Sequence, residues 1–405
     1  MLAVDERPVY TLKSEPAVLG SYEEALERAR ELKPRLRERV AEAERLRRLP
    51  AENVTDLLEA GLYGLMTPRR YGGSELGPEA MIDVTIELAS ACSSTGWVHM
   101  LWTAHMWLLA LFPKETLDEL WSNPNTLASS VVNTTGDIVP VDGGFRWTGR
   151  GFFSSGVDHC NWMTALVPIK REGHEGPPEM RWIMLPREDI EIVDDWYTIG
   201  LKGTGSKTIV VNDAFIPERR TILTTDVEEG TAPGSQVHDH PMYRAISSAN
   251  FTAAMAAPAL GVARGFLAQF EERLRSKSSA PDDGFMINLE RYATAASQVD
   301  AVHAVTLQNA QRFARVPAGS VSAEDRAKCR RDQAFTAQTS RKAINMLYEE
   351  CGGSALFEKS DLQRVWRDVN AAAAHRGLAW DWIGVGWSKT LLGMPVVPGF
   401  RSNRA

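Results

Sequence analysis

An imidazole directly after a run of alanines is the first group in this chain whose setting invites chemistry. Residues 351–381 read CGGSALFEKSDLQRVWRDVNAAAAHRGLAWD, with His375 following four alanines. Small neighbours on a helix leave room beside the ring, so a ligand can occupy what side chains do not; a core histidine bonded to a backbone carbonyl is the plainer reading. Arg376, next to it, stays protonated above pH 12 and cannot serve as a base. Two further imidazoles, His99 and His105, interrupt VHMLWTAHMWLLALF at 98–112, a run otherwise apolar all round and therefore buried on most sides. Polar groups inside such a run must be paired. Both can be satisfied core histidines, or one can wall a substrate pocket. His105 is the better candidate, because Trp102, Met106 and Leu109 at helical spacing make an apolar place where an imidazole can meet a phenol or an indole. LKGTGS at 201–206 invites a phosphate-loop reading, but it lacks the strand, GlyLysThr and following helix that such a loop requires. The eight histidines have no ligand partners at helical or hairpin spacing, so no metal site is expected.

Those residues need elements to hold them. A chain of 405 residues is too long for one ordinary core, so two or three subdomains are expected. Hydrophobic content of 44% and charged content of 24% belong to a soluble globular protein. A net charge of −7 leaves no electrostatic footprint for nucleic acid. Cys92, Cys160, Cys329 and Cys351 have no paired spacing, which suits a reducing cytoplasm better than a disulfide scaffold. The amino terminus lacks the basic-then-apolar order of a signal peptide, and no run of 18 apolar residues follows, so neither export nor membrane association is expected.

Periodicity divides the chain into three domains, an α+β architecture. Residues 1–125 are helical. Ser21 and Glu24 have capping-box spacing before a charged helix that Pro34 kinks or splits, Val54, Leu57, Leu58 and Leu62 form a helical stripe, and 93–97 is a junction between two further helices. Residues 126–222 turn to period two, with strands at 126–132 and 141–147, a tight turn at Asp142-Gly143, continuation of the sheet over 149–162, and strands at 181–185, 190–196 and 207–216. Residues 223–405 are helical again. A small-residue helix over 245–275, a helix with Tyr292, Val299, Val302, Thr306, Ala310 and Phe313 on one face, a third over 334–350 and the final alanine helix imply a four-helix bundle. Residues 225–241 and 276–285 read as exposed loops.

GlyGly at 352–353, ArgAsp at 367–368 and the alanine helix resemble the C-terminal signature of the acyl-CoA dehydrogenase superfamily, and GLYGLMTPRRYGG at 61–73 resembles its amino-terminal domain. The resemblance implies an acyl-CoA dehydrogenase-like fold that holds a flavin between the β-domain and the helical bundle. Many dehydrogenases of that superfamily continue this helix into Tyr-Glu-Gly-Thr, whose glutamate removes a substrate proton; here the place reads His375-Arg376-Gly377. The chain therefore resembles the flavin-dependent monooxygenase branch, the oxygenase components of two-component aromatic hydroxylases.

That resemblance implies a reduced flavin, FAD or FMN, supplied by a separate NAD(P)H-dependent reductase, with molecular oxygen as co-substrate. The lack of a Rossmann fingerprint agrees with reduction happening elsewhere. A flavin C4a-hydroperoxide would then hydroxylate a phenolic, indolic or polycyclic ring, and twelve tryptophans suit such a pocket. Carried over residue by residue, Ser155 sits beside flavin N5 as donor or acceptor, in a register fixed by AsnTrp at 161–162. His375 with Arg376 holds the flavin, and His105 with Ser130 orients and deprotonates the substrate. Trp97, Ser130, Val131, Val132, Phe153, Ser154, Ser155, Gly352, Gly353 and Ser354 are cofactor contacts, Arg275 meets the flavin phosphate, and the Gly-Thr-Gly-Ser turn at 203–206 lies close by. A homotetramer is expected from the same source. Heteroatom oxidation by N-hydroxylation or sulfoxidation, an acyl-CoA dehydrogenase activity and a catalytically inert scaffold are the alternatives.

Overall fold

Local signals account for the first helices in a computed structural model, which describes residues 12, 15–170, 175–279 and 283–396. The Ser21 hydroxyl accepts the Glu24 N–H at 3.1 Å and opens α1 (Tyr22–Glu38), while the Glu24 carboxylate reaches back one residue further than a capping box requires, to Gly20 N–H. Pro34 does not split α1; the break comes at Arg39, before α2 (Val40–Leu46). There follow α3 (Ala51–Glu59), α4 (Pro78–Ala91), α5 (Ser93–Leu109) and α6 (Lys114–Leu120). Residues 93–97 are no junction. They form the first turn of α5, and the chain bends at Cys92, which takes an extended conformation.

The middle of the chain is a sandwich of two four-stranded sheets. One has the order β1 (Ala128–Val131), β4 (Trp162–Ile169), β5 (Glu179–Pro186), β8 (Thr221–Leu223); the other runs β2 (Asn133–Val141), β3 (Gly144–Ser154), β7 (Lys207–Pro217), β6 (Glu191–Val193). The Asp142-Gly143 turn joins β2 to β3, so a strand lies between β1 and that turn that period-two reading of 126–147 did not separate. Alternation gives each strand two jobs. Met163, Ala165, Ile183 and Leu185 fill the space between the sheets, whereas Ala128, Trp182 and Met184 face the helical core.

The remaining helices are α7 (Thr224–Glu229), α8 (Ser247–Asn250), α9 (Ala257–Lys277), α10 (Asp283–Phe313), α11 (Ala323–Tyr348), α12 (Asp361–Ala373) and α13 (Trp380–Leu391). Helices α9 to α12 pack as the bundle, with α13 against α11. The small-residue helix starts at Ala257 rather than 245, with Pro258 in its first turn where its missing N–H costs nothing. By length and composition residues 247–277 would cross a membrane, yet they are mostly buried in the protein core. Residues 225–241 are not an exposed loop: Val227, Ala232, Ser235 and His238 are buried. Of the second expected loop, residues 276–279 are exposed and 280–282 lie outside the described residues.

The amino-terminal helices, the sandwich and the bundle are tied together around residues 199–206. Asp368 on α12 is buried and accepts the Leu201 N–H at 2.7 Å, with the Ser93 hydroxyl as a second donor. Beside it Arg367 bonds the Ile199 carbonyl and pairs with Glu44 at 3.0 Å. Desolvation pushes the Asp368 carboxyl up from 3.8 to about 6, against the opposing pull of Leu201 N–H. The folded protein thus holds this proton more tightly than the unfolded chain, so stability from the group is present at about pH 4 and lost as pH rises through about 6. Asp368→Asn keeps the accepting oxygen without the charge. It should match the wild-type melting temperature near pH 4 and exceed it at pH 7, by up to roughly 3 kcal/mol in stability at about 1.4 kcal/mol per pKa unit. A difference independent of pH in paired thermal melts would contradict this account.

Candidate functional site

Helix α5 carries the first wall. It is buried along nearly all its length, and its two histidines have different fates. His99 is fully committed: Nε2–H donates to the Leu62 carbonyl at 2.9 Å and Nδ1 accepts the Thr85 hydroxyl at 2.9 Å. It is a core histidine. His105 donates from Nδ1 to the Ala128 carbonyl at 2.8 Å, which leaves Nε2 as a bare lone pair with no protein partner among the described residues. Burial pushes this imidazole down to about 4, so it stays neutral above that pH.

The neighbours of His105 are not those that helical spacing pointed to. Trp102 turns away and meets His159 edge-on at 6.1 Å. Phe251 lies 5.9 Å from His105 between ring centroids, and Trp107 and Trp182 stand 6.3 and 5.7 Å from Phe251. Phe251 and Trp182 are site residues that sequence reasoning missed. A lone aromatic among Ser, Asn, Thr and Ala at 247–257 was the available signal for Phe251, whereas nothing in the sequence separates Trp182 from any other strand tryptophan.

The second wall is the sheet face carrying Ala128 and, two residues on, Ser130, which pairs in register with Thr164. Ser130 Oγ is buried and has no hydrogen-bond partner, a costly state unless something else supplies one. Its neighbours face the other way. Ser129 Oγ bonds the Ser154 hydroxyl at 2.8 Å and Val131 sits in the sandwich core. The side chains of Ser154 and Val131 therefore lie on the opposite face from Ser130, so the expectation that they touch the cofactor holds only for their backbone. Val132 and Phe153 are exposed; Phe153 adopts φ +65° and meets Trp196 edge-on.

Ser155 directly follows β3 and is buried. Its Oγ accepts the Trp97 indole N–H at 3.1 Å and bonds Ser206 Oγ at 2.7 Å, and Ser206 bonds Thr204 Oγ1 at 2.7 Å. Two glycines permit this packing. A Cβ on Gly156, at φ +71°, would lie 2.7 Å from Trp102 Nε1, and one on Gly205, at φ +53°, 2.7 Å from Asp158 Oδ2. Asp158 is held by Lys207 at 2.7 Å in a buried ion pair.

His375 closes the group. It is not on the alanine helix, as the sequence implied, but one residue past the C-cap of α12, where it caps the short turn Arg376–Leu378. Nδ1 accepts the Gly377 N–H at 3.0 Å, so Nε2 carries the hydrogen and no described protein group takes it. Desolvation holds this ring down to about 4, hence neutral. It lies 5.7 Å from the Trp97 ring. Arg376 beside it is not buried.

The structure does not bring the other expected contacts here. Gly352, Gly353 and Arg275 are exposed; Arg275 pairs with Glu271, and Arg273 ties α9 to the Cys351 carbonyl at 3.1 Å. They sit at the far end of α12, whose 13 residues at about 1.5 Å each put some ~20 Å between them and His375. Ser354 bonds the Cys351 carbonyl in the same loop.

Among the described residues every buried carboxylate is engaged. The buried acids among them are Asp83, Asp158, Asp332 and Asp368. They are engaged by His303, Lys207, Lys328 with Arg331, and Leu201 N–H respectively.

Comparison with known proteins extends the geometry. The chain matches the model of the acyl-CoA dehydrogenase N-terminal domain over residues 23–124 and that of the C-terminal domain over residues 253–380. It is 36% identical over 354 residues to the oxygenase subunit HsaA of a flavin-dependent monooxygenase from Mycobacterium tuberculosis, covering 85% of this chain and 89% of that one. Against the FADH2-dependent resorcinol hydroxylase oxygenase component of a Rhizobium species it is 30% identical, covering 87% and 90%. The crystal structure of the M. tuberculosis HsaA monooxygenase superposes with a TM-score of 0.89 at 33% identity, covering 94% of this chain and all of that one.

A buried hydroxyl kept without a partner should cost stability and serve binding. Ser130→Ala should therefore raise the stability of the ligand-free protein by about 1 kcal/mol while lowering turnover. Urea unfolding alongside an oxygenation assay checks both; a variant that loses stability without losing turnover would make Ser130 a structural residue.

Proposed function

The chain belongs to the acyl-CoA dehydrogenase superfamily as an oxygenase component of a flavin-dependent monooxygenase, and from that premise we infer how its own residues serve the hydroxylation of an aromatic ring. Reduced flavin, when bound, activates molecular oxygen so that one atom reaches the ring and the other leaves as water. A separate reductase provides the reduced flavin, and we propose that it draws on NAD(P)H.

The residues fit a flavin. A planar ring with donors and acceptors along one edge needs flat walls and polar atoms not already spent. Trp97 and His375, with ring centroids 5.7 Å apart and planes inclined at 57°, supply one apolar side. Ser155 Oγ, Ser130 Oγ and the Nε2–H of His375 supply the polar atoms. In this reading Ser155 stands beside N5, His375 donates to the flavin, and both keep water from a site built of buried side chains.

The observation that carries the substrate reading is the free lone pair of His105 Nε2 set against Phe251, in a pocket walled by Trp182. A neutral base in apolar surroundings suits a phenol or an indole N–H, whose ring stacks on aromatic side chains while its proton points at nitrogen. Withdrawing that proton makes the ring electron-rich where oxygen attacks. The commitment of all four buried carboxylates among the described residues argues against the proton abstraction of an acyl-CoA dehydrogenase.

We further propose a homotetramer in the cytoplasm. Leu356 and Phe357 expose large apolar side chains beside residues 352–354, and Trp382 and Leu392 do so on α13. A second copy covering that face would bring Gly352, Gly353, Ser354 and Arg275 to its own flavin, with the open glycine backbone admitting close approach. Four buried free cysteines suit a reducing compartment.

His105→Ala should retain flavin affinity and lose roughly 10²- to 10⁴-fold in turnover, the usual contribution of a general base. Reduced flavin, oxygen and a panel of phenols and indoles make the assay. Normal hydroxylation by the variant would remove His105 from the reaction.

A further inference from the structure

The hydroxyl of Ser155 ends a chain of hydrogen bonds whose direction follows from its far end. Thr204 Oγ1 lies 2.9 Å from the carbonyl oxygen of Leu201. Two oxygens attract at that distance only with a proton between them, and a carbonyl has none to give, so the Thr204 hydroxyl donates. Each hydroxyl carries one proton. Thr204 therefore accepts from Ser206 across 2.7 Å, and Ser206, its proton now committed, accepts from Ser155 across 2.7 Å. From its other side Ser155 Oγ accepts the indole N–H of Trp97, a group that only donates. Thr204, Ser206 and Ser155 are all buried, which keeps bulk water from reversing the sequence. The Leu201 end is itself held, by Trp196 Nε1–H on the same carbonyl at 3.2 Å and by Asp368 on the Leu201 N–H.

We propose that Thr204 and Ser206 are positioning residues that turn Ser155 into an oxygen able only to accept, and that the site thereby sorts flavin by oxidation state. Reduced flavin carries a hydrogen on N5 and can donate to that oxygen. Oxidised flavin presents a lone pair there and meets another lone pair. The site consequently admits the form the reductase delivers and releases the form that remains after turnover, without any moving part. The inference rests on the reading that sets Ser155 beside N5.

Anaerobic titration of the full-length chain with oxidised and with dithionite-reduced FAD, and the same pair of FMN forms, tests it by dissociation constant rather than turnover. The wild type should bind reduced flavin at least about tenfold more tightly than oxidised flavin, the worth of one hydrogen bond gained against one refused. In Ser206→Ala the Ser155 proton loses its acceptor and is free to point at the flavin. In Thr204→Val the Ser206 proton turns back towards Ser155 and displaces the Ser155 proton the same way. Both variants should bring the ratio towards one, chiefly by tighter binding of oxidised flavin, while Ser206→Thr, which keeps the hydroxyl, should retain the wild-type ratio. Parallel weakening of both forms, or a ratio unchanged in both variants, would overturn the relay and leave the flavin site standing. A wild-type chain that binds neither form would overturn the flavin site and the relay together.

Discussion

A carboxylate withdrawn from water must be answered by donors, and Asp368 is answered from outside its own helical bundle. The Leu201 amide reaches it from the β-sandwich and the Ser93 hydroxyl from the first turn of α5. Arg367 repeats the tie at the surface through the Ile199 carbonyl and Glu44. Three parts of the chain are thereby fixed to one loop, and each element of the site is counted from it. Helix α5 leaves Ser93 and reaches Trp97 after one turn and His105 after three; the loop itself continues to Thr204 and Ser206; α12 runs from Asp368 to its end just before His375. Site residues drawn from distant stretches of sequence are held at a constant spacing by elements whose bases this buried anchor ties together.

The site that results is marked less by what it contains than by what is left unsatisfied. His105 offers a lone pair, His375 a hydrogen, and Ser130 a hydroxyl with no partner. The two histidines acquire opposite character from opposite backbone contacts, a carbonyl for His105 and an amide for His375, and burial keeps both neutral. His99, six residues before His105 on the same helix, shows the contrast: with both nitrogens satisfied it holds structure and nothing more. Chemistry is confined to the positions where the fold declines to complete a hydrogen bond.

Much of this was legible in the chain. The change from helical period to period two near residue 126, and back near 223, follows from side-chain alternation and needs no tertiary information. The family resemblance rests on short stretches such as GlyGly at 352–353, where Gly352 takes φ +68°, and ArgAsp at 367–368, where Asp368 is buried against the Leu201 N–H. What escaped is tertiary in origin. Phe251 meets His105 across about 150 positions of sequence, and no periodicity couples them. The orientation of Ser154 towards Ser129 and of Ser155 towards Trp97 follows an irregularity of β3 between Gly151 and Ser154, where Phe153 takes φ +65°, and a one-residue shift of register would have exchanged them. His375 reads as helical because alanines favour helix, whereas the helix ends one residue early and hands the imidazole to a capping role.

A crystal structure of the chain grown anaerobically with reduced flavin tests the account most directly. The expected result is an isoalloxazine lying against Trp97 and His375, with N5 about 3 Å from Ser155 Oγ and His105 Nε2 turned towards the substrate. A flavin bound elsewhere, or a carboxylate from any segment turned onto the ring while His375 points away, would contradict it.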